Sequence, residues 1–293
     1  MKEQIQNHLP GDHPWQNQIY WYDVTDSTNT QAKRMAAEGA PHGTVLIADR
    51  QTGGRGRRGR SFQSPGGMGV YMSVLLRLGC SPDQVMHLTC AAAVAMCNAV
   101  EASAGFRPGI KWTNDLVYNG RKLAGILTEL VTAPSGLCAV IGVGINCCQQ
   151  EADFDPEIRG FAGSLSMVTG RPIGRAGVAA AMITALQAMD STLLTGKRAM
   201  MERYRRDCVT VGKDVCLIRS GEVRHGHAEG VADDGALLVR FPDRHLEAVN
   251  SGEVSVRGMY GYVYPKIYNF RIAFFRWIGS TGIGNIHEWR HVS

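Results

Sequence analysis

The stretch that most restricts the fold is Gly53 to Arg60, GGRGRRGR, together with its flanking residues. Gly54, Gly56 and Gly59 have the G-x-G-x-x-G spacing of a dinucleotide-binding turn, which needs a strand before it and a helix directly after it. TVLIA before the loop predicts a strand, but SFQSPGGMG after it contains proline and glycines, which disfavour a helix. A nicotinamide or flavin site is therefore disfavoured. A Walker-type loop is disfavoured too, because no Gly-Lys-Ser/Thr follows.

Four arginines lie in this loop: Arg55, Arg57, Arg58 and Arg60. Guanidinium groups bind carboxylate and phosphate oxygens through paired hydrogen bonds, and glycine lets backbone amides approach the same anion. The loop therefore predicts an oxyanion ligand. Taken alone, it fits equally well a solvated basic loop or a nucleic-acid-binding segment.

The composition leaves the choice of ligand open but sets the class of protein. The 293 residues suffice for two domains, and 31 basic against 26 acidic residues give a net charge of +5, too small to indicate nucleic-acid binding by itself. The eight cysteines lack the CxxC spacing of zinc or redox sites, so we expect reduced thiols in a cytoplasmic protein. We find no apolar signal segment and no run of about 20 apolar residues, so no membrane association is expected.

The pattern of apolar runs and turn residues predicts an α+β fold with a mixed or antiparallel sheet and covering helices. Ser81, Pro82 and Gln84 form a capping box with proline at the first helical position, and Gly105 ends that helix. The predicted strands are 19–24, 44–48, 70–78, 110–112, 122–131 and 137–146, and the predicted helices are 26–39, 81–105 and two within 177–207.

After Val209 the sequence pattern changes to short β-rich runs joined by the turn segments SGE, DDG, FPDR and NSG. This pattern predicts a small barrel. The expected domains are residues 1–208, which carry the candidate site, and residues 209–263, the barrel. Residues 264–293 form an irregular tail with no assigned role. His225 and His227 fall on a predicted barrel strand, where a surface position is favoured over metal ligation.

Polar clusters at element junctions accompany the arginine loop: Asp26–Asn29 (DSTN), Lys111–Asp115 (KWTND) and Gly142–Asn146 (GVGIN). In isolation DSTN is typical of a helix cap. Lys122 enters an apolar run, where an unpaired ammonium would be unfavourable by several kcal/mol unless an anion met it. The spaced glycines of GVGIN predict that a ligand approaches the backbone there.

The order DSTN, Gln51 with GRGRRG, KWTNDL, RKLAGIL and GVGIN, followed by a small barrel, resembles the biotin protein ligases over roughly Ile19 to Gly258. The resemblance implies a catalytic domain related to class II aminoacyl-tRNA synthetases and a C-terminal SH3-like barrel. It further implies activation of biotin to biotinyl-5′-AMP with ATP and Mg²⁺, and transfer of biotin to a lysine of a biotin carboxyl carrier domain. The residue types fit this chemistry, because a carboxylate attacking a phosphate needs positive charge around both anions.

The resemblance also assigns roles to individual residues. Lys122, Arg55 and Arg57 are the expected catalytic residues. The biotin site is expected to comprise Ser27, Thr28, Asn29, Gln51, Gly54, Arg55, Gly56, Arg57 and Lys122. The ATP site is expected to comprise Arg57, Arg58, Phe62, Lys111, Asn114, Lys122 and Asn146. No fixed metal site is expected, with Asp115 as a candidate ligand for Mg²⁺ or partner of the acceptor lysine.

The chain departs from the family pattern at two positions, since Thr113 replaces a common proline and Phe62 a common tryptophan. Only 25 residues precede Asp26, too few for a winged helix, so DNA binding through that module is not expected. A homodimer is compatible with the resemblance. The alternatives are a lipoate or octanoate ligase and, in another class, a non-catalytic module that binds phosphate or nucleic acid.

Overall fold

The computed structural model describes residues 1–134, 136–219, 222–250 and 253–256. The tail predicted for residues 264–293 lies outside the described residues. Two sheets organise the described chain, one of seven strands and one of five. The predicted fold class, α+β with a smaller β unit after the main sheet, is confirmed.

The seven-stranded sheet is mixed and has the order β1-β2-β3-β7-β6-β5-β4. Only the β1–β2 pair in this sheet is parallel, and the other pairs are antiparallel. The strands are β1 (Ile19–Thr25), β2 (Thr44–Gln51), β3 (Gly69–Arg77), β4 (Gly109–Lys111), β5 (Asp115–Tyr118), β6 (Arg121–Ala133) and β7 (Gly136–Asn146).

Helices cover both faces of this sheet, because its central strands carry apolar side chains on both sides. On β2, Val45 and Ile47 belong to the larger core, whereas Leu46 packs in a smaller core with Ala32 and Ala36 of α2. The helices are α1 (Lys2–His8), α2 (Thr28–Ala37), α3 (Leu88–Ala104), α4 (Leu165–Thr169), α5 (Arg175–Thr192) and α6 (Lys197–Asp207). α3 packs against α5 and α6 in the larger core.

The second sheet is antiparallel with the order β11-β10-β9-β8-β12. Its strands are β8 (Asp214–Arg219), β9 (Glu222–Val231), β10 (Leu237–Arg240), β11 (Leu246–Val249) and β12 (Glu253–Val256). This antiparallel sheet agrees with the short strands predicted after Val209. The exact domain limits at residues 208 and 263 stay a prediction.

The structure differs from the expectations at several elements, and α4 lies where none was predicted. α1 occupies a lead-in that carried no predicted element, and β5 forms within NDLVYNGR, which was expected to be a turn. The helix expected from Ser81 is interrupted, because Pro82–Val85 forms a 3-10 turn before α3 begins at Leu88. The capping box of Ser81 and Gln84 is present, and Gly105 ends α3 with a left-handed φ of 83°.

Among the described residues, the helical segment Pro82–Ala104 is long and apolar enough, by length and composition, to span a membrane. These 23 residues reach a mean hydropathy of 1.4 over an 18-residue window, and 72% of that window is buried inside the protein. Alanines, Met96 and Cys97 supply this hydropathy, and they pack in the larger core. The segment is therefore the central helix of the core.

We predict that Met96→Ala on α3 lowers the free energy of unfolding by about 2 to 4 kcal/mol, because Met96 is fully buried and leaves a cavity. Urea unfolding followed by circular dichroism measures the change. The matched control is Met86→Ala, whose side chain is 51% exposed and should change stability by less than about 0.5 kcal/mol. Equal effects for the two variants would contradict the assigned packing of α3.

Candidate active site

A cavity of about 170 Å³ opens where the start of α2, the arginine loop and the ends of several main-sheet strands meet. Thirteen of the fifteen residues expected at the site line its wall: Ser27, Thr28, Asn29, Gln51, Arg55, Gly56, Arg57, Arg58, Phe62, Lys111, Asn114, Asp115 and Lys122. Motifs that are up to about a hundred residues apart in sequence are thus brought together around one space.

Gly54 and Asn146 do not line the wall. The Asn146 Nδ2 donates to the Gly163 carbonyl at 3.0 Å, and its Oδ1 accepts from Gln149 Nε2 at 3.1 Å. A Cβ on Gly54 would lie 2.3 Å from the Phe62 carbonyl oxygen, so this glycine lets the loop fold back on itself. Direct ligand contact by either residue stays a prediction, and for Asn146 it would require these hydrogen bonds to rearrange.

One end of the cavity is polar and lies at the first turn of α2. Ser27, Thr28 and Asn29 are each less than 5% exposed. Ser27 occupies the N-cap position, yet its side chain makes no capping hydrogen bond. The Thr28 backbone N–H donates to Gln51 Oε1 at 2.8 Å, which joins α2 to the end of β2. The side chains of Ser27, Thr28 and Asn29 therefore line the cavity, whereas the Asp26 carboxylate accepts from the Ser27 backbone N–H at 2.7 Å.

The Lys122 ammonium at the start of β6 lies 2.8 Å from the Asp115 carboxylate of β5. The anion predicted to meet Lys122 is therefore supplied by the neighbouring strand in the described structure. Both side chains are largely buried, with 30% and 19% exposure. A negatively charged ligand at this point would meet an ammonium already held in place by β5–β6 pairing.

Arg57 places a second cation beside this ion pair. Its Nη1 donates to Asn114 Oδ1 at 3.1 Å. Burial lowers the pKa of the Arg57 guanidinium, the Asp115 carboxylate opposes this by raising it, and the charge of Arg58 lowers it further. Two adjacent arginines and a lysine share a half-buried wall with a single carboxylate nearby, an arrangement that favours binding of an anion.

The floor of the cavity consists of glycine backbone. Gly125 of β6 pairs directly with Gly144 of β7, and the Phe62 ring lies against both. A Cβ on Gly144 would lie 2.4 Å from this ring, and one on Gly142 would lie 1.9 Å from Asn29 Oδ1. Gly142 and Gly144 both line the cavity, and the approach of a ligand to their backbone stays a prediction.

The second sheet supports the segment that carries Lys111, Asn114 and Asp115. Trp112 in that segment donates from its backbone N–H to Thr210 Oγ1 and from Nε1 to the Gly235 carbonyl, both at 2.9 Å. Tyr204 of α6 donates its hydroxyl to the Thr113 carbonyl at 3.0 Å. Val254 of β12 also lines the cavity. The second sheet thus contributes both to the wall and to the positioning of the 111–115 segment.

Within the ranges that the structure describes, no group of three or more histidine, cysteine or acidic side chains is placed to hold a metal ion. Asp115 is the acidic side chain of the described cavity wall, and it pairs with Lys122. One carboxylate fits a hard cation such as Mg²⁺, which would take most of its oxygen ligands from a phosphate substrate and from water.

Two family models match the chain. The model of the biotin/lipoate A/B protein ligase family covers residues 21–146, and that of the biotin protein ligase C-terminal domain covers residues 210–257. The bifunctional ligase/repressor BirA of Bacillus spizizenii is 37% identical over 223 residues, which are 75% of this chain and 69% of that protein. The chain belongs to the biotin protein ligase family.

Other members are similar at comparable levels. The biotin--[acetyl-CoA-carboxylase] ligase of Mycobacterium tuberculosis is 32% identical over 236 residues, covering 78% of this chain and 85% of that protein. Among solved structures, the biotin protein ligase of Aquifex aeolicus in complex with biotin and ATP matches with a TM-score of 0.70 and 26% identity. That match covers 82% of this chain and 98% of the Aquifex chain.

Several residues of the site were not anticipated from the sequence. Ser61, Met72, Trp112 and Val254 line the cavity, and Ser73 and Glu129 hydrogen-bond to the residues at its polar end. A serine within the apolar run VYMSVLLRL and a glutamate within KLAGILTELV were signals that could have identified the last two. Val254 gave no comparable signal, because it comes from another sheet.

We predict that Gly144→Ala destabilises the protein by about 1 to 3 kcal/mol, because its Cβ would collide with the Phe62 ring. Urea unfolding measures this loss. The matched control is Gly230→Ala on β9, where the nearest atom to a new Cβ is 3.7 Å away. In a Phe62→Ala background the loss from Gly144→Ala should largely disappear. A full loss in that background would rule out the ring as the cause.

Proposed function

We propose that the chain uses ATP to activate biotin as biotinyl-5′-AMP and then transfers biotin to a lysine of a carboxyl carrier domain. The observation that carries this function is one cavity with a neutral hydrogen-bonding end at Thr28, Asn29 and Gln51 and a cationic end at Arg57 and Lys122. A molecule with a polar neutral ring at one end and a carboxylate at the other fits both ends at once.

The polar end suits the ureido ring of biotin. A cyclic urea offers two N–H donors and a carbonyl acceptor, and burying such groups unpaired is unfavourable by about 1 to 3 kcal/mol each. Hydroxyls of Ser27 and Thr28 and the amides of Asn29 and Gln51 supply matching acceptors and donors. A plain acyl chain such as octanoate would form no hydrogen bonds with these groups, which supports biotin over octanoate.

The cationic end suits the adenylation step. A biotin carboxylate oxygen attacks the α-phosphorus of ATP, a new P–O bond forms, and the bond to the β-phosphate oxygen breaks to release pyrophosphate. The two reacting groups repel each other, so their alignment needs fixed positive charge. Lys122 and Arg57 lie where both anions would meet, and Arg55 adds a further guanidinium to the wall. Mg²⁺ bound with the nucleotide neutralises charge on its phosphate oxygens.

The nucleotide is proposed to lie beside the arginine loop and the 111–115 segment. Phe62 offers a ring for stacking, Asn114 an amide, and Lys111 and Arg58 positive charge. Asn114 is held by the Arg57 guanidinium and donates to the Ile126 carbonyl at 2.9 Å, so its orientation is fixed before a ligand arrives. These contacts support the proposed nucleotide site on the Phe62 side of the cavity.

In the second step, the acceptor lysine amine attacks the acyl carbonyl of the adenylate, the amide bond forms, and AMP leaves. The amine must lose a proton, and Asp115 is the acidic side chain of the described wall. We propose that Asp115 assists this proton transfer, because it lies 2.8 Å from Lys122 and therefore near the reacting carbonyl. The acceptor is proposed to be the biotin carboxyl carrier domain of a biotin-dependent carboxylase.

The remaining features of the proposal concern location and assembly. We propose that the protein acts in the cytoplasm, binds neither DNA nor membranes, and can form a homodimer. The open edge of β1 supports the last point, since Tyr20 and Val24 on this strand are 42% and 58% exposed. An edge strand with exposed apolar side chains is a common site of association.

The direct test of the function is to incubate the protein with ATP, Mg²⁺ and an equal mixture of biotin, lipoate and octanoate. Mass spectrometry of the acyl-AMP products should detect biotinyl-AMP as the main product. Lipoyl-AMP or octanoyl-AMP in its place would assign the chain to lipoate chemistry. If folded protein formed no acyl-AMP, a non-catalytic phosphate-binding module would be the better account of the arginine loop.

We predict that Lys122→Ala lowers the rate of biotinyl-AMP formation by about 100-fold to 1,000-fold, because it removes a fixed charge at the reacting anions. Single-turnover assays with radiolabelled ATP measure the rate. Circular dichroism of the variant should show the fold of the wild type, since Lys122 lies at the start of β6 and its side chain is 30% exposed. Lys213→Ala, at an exposed position, is the matched control. Near-normal turnover of the Lys122 variant would refute its assigned role.

A further inference from the structure

Behind the polar end of the cavity, five side chains form one continuous chain of hydrogen bonds. Lys33 Nζ donates to Glu129 Oε1 at 2.9 Å, and Asn29 Nδ2 donates to Glu129 Oε2 at 2.9 Å. On the other side, Ser73 Oγ lies 2.6 Å from Asn29 Oδ1 and 2.7 Å from Thr28 Oγ1. Ser73, Thr28 and Asn29 are each less than 5% exposed, so water does not compete for these bonds.

The charge of Glu129 determines which groups donate and which accept along this chain of hydrogen bonds. Burial alone would raise the pKa of Glu129, but hydrogen bonds from Asn29 and Lys33 together with the charges of Lys33 and Arg55 hold it below its ordinary value. Glu129 is therefore ionised at neutral pH and can only accept hydrogen bonds. The Asn29 amide must turn its NH₂ group towards Glu129, and its Oδ1 consequently faces Ser73.

The proton positions on the two hydroxyls follow from this orientation. Asn29 Oδ1 carries no hydrogen, so the single proton of Ser73 must be donated to it. The Ser73 oxygen also lies 2.7 Å from the Thr28 hydroxyl oxygen, and the Thr28 hydroxyl donates its own proton to Gln51 Oε1 at 3.1 Å. Gln51 Oε1 accepts the Thr28 backbone N–H as well, at 2.8 Å. Thr28 and Asn29 are thereby left with lone pairs for the cavity and no proton to donate.

We propose that Glu129 and Ser73 are positioning residues that fix Asn29 as a hydrogen-bond acceptor beside Thr28 and so select a ligand that presents N–H groups. This inference rests on the proposed function, in which the two N–H groups of the biotin ureido ring meet those acceptors. Neither Glu129 nor Ser73 lines the cavity, so each acts through another side chain. The binding energy of the ureido ring then depends on a carboxylate that does not touch it.

Glu129 could also act on the site through its charge, because Arg55 contributes to lowering its pKa. The two routes make different predictions. An effect through Arg55 would fall on the carboxylate and phosphate end of the ligand and would be independent of Ser73. An effect through the hydrogen-bond chain would fall on the ureido end and would be lost once Ser73 no longer transmits it.

The experiment compares wild type, Glu129→Gln, Ser73→Ala and the double variant by calorimetric titration with biotin in the absence of ATP. Each single variant should weaken biotin binding about 10-fold, the loss expected for one misdirected buried hydrogen bond. The double variant should bind biotin no more than about 10-fold more weakly than wild type does, because both changes break the same chain of hydrogen bonds. The affinity for ATP should stay within about 2-fold of wild type. Glu202→Gln and Ser191→Ala, both at exposed positions, are the matched controls and should match wild type.

Lys33→Met separates the acceptor role of Glu129 from its ion pair. It keeps the carboxylate and its bond to Asn29, so biotin affinity should change by less than about 3-fold. Unchanged biotin affinity in Glu129→Gln, or losses that multiply to about 100-fold in the double variant, would overturn the proposal. A wild-type protein that binds no biotin would overturn the proposed function and the ligand selection together.

The orientation of the Asn29 side-chain amide can also be tested in the absence of ligand. In the proton NMR spectrum of wild type, the two Asn29 side-chain amide protons should exchange slowly with water. One is donated to the Glu129 carboxylate and the other to the Leu127 carbonyl. In Glu129→Gln they should exchange at least about 10-fold faster, while those of Asn114, bonded to Ile126, stay unchanged. Equal exchange in both proteins would contradict the assigned orientation, whatever the affinity for biotin.

Discussion

The antiparallel pairing of β6 with β7 is the interaction on which the rest of the site depends. This pairing sets Gly125 opposite Gly144, and the pair provides the floor against which Phe62 lies. The same β6 carries Lys122 at one end and Glu129 farther along. A shift of β6 by one residue would move Lys122 and Glu129 to the opposite faces of the sheet. The extended ladder of hydrogen bonds between β6 and β7 therefore fixes the geometry of both ends of the cavity.

The distribution of charge follows from that framework. Lys122 is held by Asp115 of the adjacent strand, and Arg57 is held by Asn114, so the cations are ordered before any substrate binds. Fixed charges of this kind stabilise a developing anion without reorganising during the reaction. At the opposite end, the partly buried Glu129 carboxylate accepts a hydrogen bond from the Asn29 amide. The cavity thus has cationic side chains at one end and neutral hydrogen-bonding groups at the other.

Much of this arrangement could be predicted from the sequence, because it is encoded in local patterns. Alternating apolar runs predicted the main strands, and the capping box at Ser81 and the glycine at position 105 marked a helix that the structure contains. The resemblance carried by the ordered motifs predicted most of the residues that line the cavity, including Lys122 and Arg57. Lys122 was also identified on physical grounds, since an ammonium in an apolar run requires an anion nearby.

What could not be predicted depends on contacts between distant segments. β5 was missed because Asn114 to Arg121 contains turn residues, and pairing with β6 overrides that local preference. The packing of Asn29 against Gly142 and of Phe62 against Gly144 has no local signature either. The contribution of the second sheet through Thr210, Gly235 and Val254 has no local signature. Such contacts arise only when the sheets pack together.

The most direct test of the central claim is a crystal structure of the protein with biotinyl-5′-AMP. The account predicts that the adenylate occupies the cavity between the start of α2 and the arginine loop. Its ureido ring should contact Thr28 and Asn29, and the bond between carboxyl and phosphate should lie within hydrogen-bonding reach of Lys122 and Arg57. An adenylate bound elsewhere, or bound with its ureido ring at Lys122, would contradict the account.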